Sequence, residues 1–257
     1  MKKSIDLLEL ATALDRELAI EKFQESCHNG LQVERRGKKI TKVCLGVDAS
    51  LPFYKEAVQR GAQLVICHHG LSWGDSMARA TGYNFDHLEF LIQNKIALYA
   101  CHLPLDAHPV LGNNAQIAKA LKLKKVEPFL RYHGSLIGVK GELPKAVSLD
   151  AFVALVKKIT GRDSVTVFPF GKKNVKTVCV GSGGGAHEIG QPIDAGMDAY
   201  LSGEPALNAY IRAEQGNINA VFAGHYATET FGVRALAAHI EKTFKIPAEF
   251  VDFKLPV

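Results

Sequence analysis

The sequence lacks any apolar run that approaches the ~20 residues needed to cross a bilayer. It also lacks a CxxC pair, and its five cysteines are an odd number, four of which stand inside apolar, strand-like runs. These absences argue against a membrane span and against a secreted domain held by a disulfide framework. We therefore expect buried free thiols and a soluble, cytoplasmic protein.

The N-terminus, MKKSIDLLELATALDREL, lacks the features of a cleavable signal, because acidic residues interrupt its apolar stretch and no small-residue cleavage pattern follows. Its leucines recur instead at helical spacing, at Leu7, Leu10, Leu14 and Leu18. The segment is therefore predicted to form an amphipathic helix of the folded protein.

The chain has no large excess of either charge sign: its net charge is +5 over 257 residues, with 22% charged and 47% hydrophobic residues. This composition is typical of a globular protein with one large or two modest domains. The mild positive charge permits weak attraction to phosphate-bearing ligands, but it does not make a nucleic-acid-binding stripe. Lysines such as Lys124 and Lys172 are interpreted as solvated surface.

Short apolar runs alternate with helix-like segments, a pattern typical of layered α/β architecture with mostly parallel, buried sheets. Strands are predicted at 40–47, 62–69, 96–103, 133–141, 164–170, 176–182, 198–203, 219–224 and 248–253. Helices are predicted at about 51–61, 84–94, 113–122, 149–160, 186–196, 205–215 and 226–243. The charged segment 121–134 interrupts the alternation, so we expect lobes at 1–126 and 127–257. The segment from about 220 to 257 is a candidate for packing back on the first lobe.

Imidazoles and carboxylates follow three of the predicted strands. They are His68 and His69, then His102 with Asp106, and finally His225 with Glu229. In open α/β sheets, ligands gather in the crevice outside the carboxyl ends of the strands. A single histidine at a strand end is usually a satisfied polar residue, but three strand ends with compatible donors indicate a metal site.

The spacing of these residues is compatible with two metal ions. His225 and Glu229 lie four residues apart and would share one helix face, and the Glu229 carboxylate has two oxygens to share between ions. Adjacent His68 and His69 can each serve a different ion. His102 is interpreted as a ligand, an acid/base group or a residue that orients a ligand. Mixed imidazole and carboxylate ligands suit zinc, iron, manganese or nickel better than calcium.

Two polar loops follow further predicted strands. Gly183, Gly184 and Gly185 lie between a strand and a helix, where their amides can contact a substrate phosphate, although tight packing of strand against helix explains the glycines equally well. The loop has neither Walker nor GxGxxG spacing. Glu204 follows another strand and is interpreted as a catalytic base or, alternatively, as a helix-capping carboxylate.

Several blocks of the sequence resemble the NIF-three-like family, often labelled GTP cyclohydrolase I type 2 homologues. These blocks extend over nearly the whole chain in the family's order, and they are NGLQVE (29–34), ICHHG (66–70), CHLPLDAHPVLGNNAQIA (101–118), SGGG (182–185), DAYLSGE (198–204) and GHYATETFGVRAL (224–236).

The resemblance implies two interlinked three-layer α/β/α lobes, a dinuclear metal site in the cleft between them, and a ring-shaped homohexamer. Carried over by motif, the metal ligands are His68, His69, Asp106, His225 and Glu229. His102 matches a position near the metals that is not a principal ligand. Some relatives have a second histidine where this chain has Tyr226, at the substrate-facing rim, and the role of His187 is not assigned.

Three functions are compatible with these features. The first is a hydrolase that uses two divalent ions, zinc, iron or manganese, on a nucleotide-like or phosphoester small molecule, with His102 or Glu204 moving protons. The second is a metal-handling or metal-delivery protein without catalysis of its own. The third is an interaction module, for which a nucleic-acid partner has little support in the sequence.

Overall fold

The computed structural model of the protein describes residues 3–253. The chain divides into two compact units: the first contains the residues up to Leu105 together with Val233–Phe253, and the second contains Asp106–Gly232. The lobe boundary near residue 126 stays a prediction. Among the described residues, no helix is both long enough and apolar enough to span a membrane.

Strands and helices alternate through most of the described chain, as the sequence pattern predicts. The strands are β1 (Ile5–Asp6), β2 (Gly30–Val33), β3 (Lys39–Ile40), β4 (Val43–Asp48), β5 (Leu64–His69), β6 (Ala97–Ala100), β7 (Lys124–Tyr132), β8 (Ser135–Ser148), β9 (Thr166–Pro169), β10 (Asn174–Gly181), β11 (Ala199–Ser202), β12 (Asn219–Phe222) and β13 (Ala248–Phe250). The α-helices are α1 (Leu7–Leu18), α2 (Leu51–Gln59), α3 (Tyr83–Gln93), α4 (Leu103–Ala107), α5 (Asn113–Ala120), α6 (Leu149–Thr160), α7 (Gly190–Asp194), α8 (Leu207–Gln215) and α9 (His225–Phe244).

The first unit is built on a five-stranded sheet in the order β13-β4-β5-β6-β2. Strands β13, β4, β5 and β6 are parallel, and β2 pairs with β6 in the antiparallel sense. Helices α2 and α3 contribute Phe53, Tyr54 and Leu91 to a core cluster with Val65 and other side chains of the sheet. On α1 the four predicted leucines are at most 2% exposed, which confirms the amphipathic helix.

The second unit contains a six-stranded sheet in the order β7-β8-β10-β11-β12-β9. Successive residues of β11 alternate between its two faces, since Leu201 belongs to a cluster with α5 and α6 while Tyr200 belongs to a cluster with α8. Helices therefore cover both faces of this sheet. The mixed α/β fold with two sheet-containing lobes is confirmed.

The second sheet is less parallel than the sequence predicts. Only β10, β11 and β12 are parallel to one another, and β7, β8 and β9 form antiparallel pairs. Strand β7 occupies the segment interpreted from sequence as an interruption, and that interpretation is wrong. Pro128 is tolerated because β7 has only one neighbour in the sheet. His133 and Gly134 both have positive φ and join β7 to β8 in a tight hairpin turn.

All five cysteines are buried thiols that are not in disulfides, as predicted. Burial is the main reason why the pKa of Cys27 rises to about 12 and that of Cys44 to about 11. Because the thiolate is the reactive form, these buried thiols are inert at neutral pH.

Candidate functional site

The carboxyl edge of the first sheet gathers the polar residues of the first unit. Parallel strands β4 and β5 end at Asp48 and His69, which are partners in the register of the two strands. His102 follows the end of the neighbouring strand β6 by two residues. The strand-end rule therefore correctly predicts that His68, His69 and His102 lie together.

The rings of these three histidines contact one another. The distances between ring centroids are 4.8 Å for His68 and His69, 5.0 Å for His68 and His102, and 5.5 Å for His69 and His102. One ring nitrogen from each residue lies within 4.8 Å of those of the other two. Three imidazoles at this spacing could hold one metal ion.

Each of the three rings has its Nδ1 atom next to an oxygen acceptor. Nδ1 of His68 donates to the carbonyl oxygen of Cys101 at 2.9 Å, and Nδ1 of His69 lies 2.8 Å from Oδ1 of Asp48. Nδ1 of His102 contacts Oε2 of Glu25. A carbonyl or an ionised carboxylate can only accept, so the hydrogen is on Nδ1 and the lone pair of each neutral ring is on Nε2. This is the arrangement found around histidines that ligate metals.

Glu25 is the best-held of these acceptors, with only 4% of its side chain exposed. Besides His102, its carboxylate accepts from Nδ2 of Asn29 at 2.7 Å and from the amide of Leu103 at 3.0 Å. Burial raises the pKa of Glu25, but these hydrogen bonds and the nearby His102 outweigh burial and hold the pKa below its ordinary value. Glu25 therefore stays ionised at neutral pH and fixes the orientation of the His102 ring.

Trp73 and Gly70 pack beside the three histidines of the first unit. The indole of Trp73 meets the His102 ring edge-on at 4.9 Å, and its Nε1 donates to the carbonyl oxygen of Gly70 at 2.6 Å. A Cβ atom on Gly70 would lie 2.5 Å from Cβ of Ala100 and from the side-chain amide of Gln32. The glycine of the HHG motif is therefore required by close packing.

In the second unit, His225 lies between two carboxylates. It is the first residue of α9, and its Nε2 lies 3.0 Å from Oε1 of Glu229, while its Nδ1 lies 3.0 Å from Oε1 of Glu204. The i,i+4 spacing therefore places His225 and Glu229 on one helix face, as predicted. Two acceptor-capable atoms this close need a cation between them, either a proton or a metal ion.

The glycine loop packs directly against this pair. Gly183 has φ +61°, and a Cβ atom there would lie 2.1 Å from Oε1 of Glu229 and 3.0 Å from Nε2 of His225. The Gly183 amide donates to Oγ1 of Thr228 at 3.0 Å. Gly185 begins a short 3-10 helix (Gly185–Ile189) that runs directly into α7, so the predicted helix at about 186–196 is present as two short helices. Close packing explains Gly183, and phosphate contact by Gly183, Gly184 and Gly185 stays a prediction.

Asp106 is held by a separate hydrogen-bond network of the second unit. Its side chain is 7% exposed, and its Oδ1 accepts from Nδ2 of Asn113 at 2.8 Å and from Oγ of Ser182 at 3.0 Å. Oδ1 of Asn113 in turn accepts from the Gly232 amide at 2.6 Å. These contacts orient the Asp106 carboxylate.

The donor atoms present fit a divalent metal ion. The first unit offers three imidazoles with defined tautomers, and the second offers an imidazole and a buried carboxylate 3.0 Å apart, next to a glycine that leaves room for both. The metal roles of all five predicted ligands stay predictions. Tyr226, predicted at the substrate-facing rim, is only 7% exposed.

Sequence reasoning missed the residues that orient the histidines and Asp106. Asp48 ends strand β4 and could have been found by the strand-end rule that identified His69. Glu25 stands in an irregular segment and contacts His102 across 77 residues, so no local pattern marks it. His187, whose role the sequence leaves open, has its Nδ1 2.9 Å from Nδ2 of Asn208.

The sequence is similar to known proteins over nearly its whole length. A protein from Deinococcus radiodurans named GTP cyclohydrolase 1 type 2 homolog is 42% identical over 245 residues, which are 95% of this chain and 92% of that protein. A protein of the same name from Archaeoglobus fulgidus is 37% identical over 248 residues, which are 96% of this chain and 98% of that protein.

Among solved structures, TTHA1606 from Thermus thermophilus superposes with a TM-score of 0.90 at 34% identity, covering 98% of this chain and 100% of that one. Residues 5–255 match the profile of the family described as Duf34/NIF3 (NGG1p interacting factor 3). The resemblance inferred from the motifs is therefore confirmed, and the chain belongs to the Duf34/NIF3 family.

Proposed function

We propose that the protein binds two divalent metal ions, zinc, iron or manganese, and hydrolyses a nucleotide-like or phosphoester small molecule. The proposed ligands are His68, His69, Asp106, His225 and Glu229. The observation that best supports the proposal is the group of three imidazoles, each with its Nδ1 next to an oxygen acceptor. Relatives named GTP cyclohydrolase 1 type 2 homolog are consistent with a nucleotide-like substrate.

Divalent ions at such a site act as Lewis acids that polarise a carbonyl or phosphoryl oxygen and make water more acidic. Two residues of the chain are proposed to move protons during the reaction. The Nδ1 hydrogen of His102 is held by buried Glu25, so its Nε2 can accept a proton from one direction only. Glu204 is 51% exposed and orients the His225 ring through Nδ1.

The first test is metal content. We expect the purified protein to bind close to two zinc, iron or manganese ions per chain in mass spectrometry of the metals. We expect His68→Ala and Glu229→Gln to bind fewer ions, since each loses a donor atom. The control is His239→Ala, which removes another imidazole of α9, one whose Nε2 lies 3.5 Å from Oγ1 of Thr243. Equal metal content in all four proteins would contradict the proposal.

The second test is turnover of nucleotides and phosphoesters by the metal-loaded protein. We expect Asp106→Ala to reduce the turnover rate at least about a hundredfold, because losses of this size are usual when a polar group at a metal site is removed or displaced. Equal rates for wild type and Asp106→Ala would refute hydrolysis at this site. Full metal content without turnover, together with transfer of the ions to an apo client protein, would instead indicate metal delivery.

We further propose a cytoplasmic, ring-shaped homohexamer. All five cysteines are buried thiols, which is typical of proteins from a reducing compartment. Helix α8 exposes an apolar stripe of Leu207, Tyr210 and Ile211 that suits burial against another copy of the chain. Light scattering should give about six times the chain mass of 28.0 kDa. A monomer of 28.0 kDa would contradict the assembly.

A further inference from the structure

A cavity of about 510 Å³ lies in the second unit beside His225. It is lined on one side by Arg162, Ser164 and Thr166, and elsewhere by Glu204, His225 and the apolar ring of Phe222. Neither the family motifs nor the metal ligands account for Arg162, Ser164 or Thr166. The volume falls within the range of small-molecule sites and is several times larger than a phosphate ion requires.

Sheet topology explains why these side chains meet. Strands β11, β12 and β9 are neighbours in that order, and β9 runs antiparallel to β12, so that Thr166 pairs with Phe222. The start of β9 therefore lies at the carboxyl end of β12. Arg162 and Ser164 lie in the segment that connects α6 to this start of β9. The cavity is thus at the carboxyl edge of the sheet, where α/β proteins bind ligands.

The charged groups lie on opposite sides of β12 in the sheet order. Arg162 precedes β9, which lies on one side of β12. Glu204 follows β11 on the other side and is paired with His225. An anionic ligand group is attracted to the guanidinium and repelled by Glu204, so the polarity of the cavity fixes the direction of an anionic ligand. Arg162 offers a planar fork of donors that matches phosphate oxygens, and hydroxyls of Ser164 and Thr166 add neutral donors.

We propose that this cavity binds the phosphate monoester group of the substrate through Arg162, Ser164 and Thr166, with the rest of the ligand extending to His225. This inference rests on the proposed function, because it places the reacting end of the ligand at a proposed metal ligand. It adds the class of substrate: a small molecule with a phosphate at one end and the reacting group at the other.

The test is calorimetric binding of guanosine 5′-monophosphate and guanosine, repeated with adenosine 5′-monophosphate and adenosine. We expect wild type to bind each monophosphate at least about tenfold more tightly than its nucleoside, because a single charge-assisted hydrogen bond contributes enough binding free energy for a tenfold difference in affinity. Arg162→Gln should remove this preference and Thr166→Val should reduce it. The control Arg212→Gln makes the same charge change on an exposed position of α8 and should leave the preference intact.

Equal binding of monophosphate and nucleoside by wild type would overturn the inference, as would an unchanged preference in Arg162→Gln. Circular dichroism and melting temperature show whether each variant is folded, and Thr166→Val gives a second, milder variant if Arg162→Gln unfolds. Metal content measured on the same samples separates the two proposals. A wild type that prefers the monophosphates but binds no metal would refute the metal site and support the phosphate site.

Discussion

Gly183→Ala is the substitution that most directly tests how the second unit holds Glu229. The residue has φ +61°, and an added Cβ would lie 2.1 Å from Oε1 of Glu229, whose side chain is 3% exposed. Ordinary contacts of Cβ begin near 3.4 Å, so the carboxylate must retreat by about 1 Å. Because Glu229 is buried, its retreat must disturb its contact with His225.

Two effects contribute to the expected loss of stability. A left-handed backbone costs a residue with a Cβ roughly 1–2 kcal/mol, and the clash adds the roughly 1–3 kcal/mol typical of overpacking. Gly196→Ala is the matched control, because Gly196 has φ +64° and no atom lies within 4 Å of its Cβ position. Gly196→Ala should lower the melting temperature by roughly 2–8 °C, and Gly183→Ala should lower it further.

The affinity for metal separates the two variants more sharply. Displacement of the Glu229 carboxylate in Gly183→Ala should weaken zinc or manganese binding at least about tenfold, the usual effect of disturbing the surroundings of a metal ligand. Gly196→Ala should bind the ions like wild type. Equal melting temperatures and equal affinities for the two variants would refute the argument that Gly183 makes room for Glu229.

Asn113→Ala should lower the free energy of unfolding by about 2–4 kcal/mol, because the buried Gly232 amide loses its acceptor and Asp106 loses a donor. Asp198→Asn should lower the melting temperature at pH 7. Burial raises the pKa of Asp198, but hydrogen bonds from Lys172 and from backbone amides outweigh burial and lower it. This stabilisation is complete above the unfolded-state pKa near 4, so the difference between wild type and variant should shrink as pH falls further. Asp15→Asn should raise the melting temperature at pH 7, because burial raises the pKa of Asp15, and the gain should vanish below pH ~4.

Melting curves from pH 7 to pH 3 check both aspartate predictions, which have opposite signs and therefore control for each other. A loss of stability in Asp15→Asn at pH 7 would show that the ionised carboxylate of Asp15 is favourable in the fold. For Asn113→Ala the control is Asn208→Ala, where the side chain is exposed and contacts His187. Equal effects of these two variants would show that the Asn113 network adds no stability.

Local patterns in the sequence account for much of the fold and of the candidate site. His68 and His69 stand at the end of a short apolar run that has the length of one strand. Because ligands gather at the carboxyl ends of parallel strands, the sequence then predicts where the two histidines lie. His225 and Glu229 follow from helical spacing alone. In each case the information is contained within a few neighbouring residues, which is why the sequence is sufficient.

The features that were missed depend on contacts between distant residues or on an exception to a local rule. Glu25 contacts His102 through chain folding, and no periodicity marks a carboxylate in an irregular segment. Pro128 argues against a strand unless the strand is known to lie at an edge, and that fact depends on the whole sheet. Short helix α4, Leu103–Ala107, contains Pro104 and is too short to show helical periodicity.

In the first unit, the carboxylate acceptors of His69 and His102 differ in a way that predicts unequal roles. Glu25 is 4% exposed and is fixed by Asn29 and the Leu103 amide, whereas Asp48 is 39% exposed. The acceptor of His102 is therefore buried and fixed by two further hydrogen bonds, while the acceptor of His69 is open to water. A rigidly held group contributes more to a preorganised site than one that must be ordered when the ligand binds.

We therefore expect Glu25→Gln to weaken binding of zinc or manganese by roughly 10–100-fold and Asp48→Asn to weaken it less. Metal titrations of both variants check the order, and melting temperatures measured without metal show whether either variant is unfolded. If Asp48→Asn weakens binding as much as Glu25→Gln, rigidity of the acceptor does not decide the contribution of a histidine. The reason for the predicted order is burial. The Glu25 carboxylate is almost fully shielded from water, so it holds the tautomer and direction of the His102 ring before any ion binds.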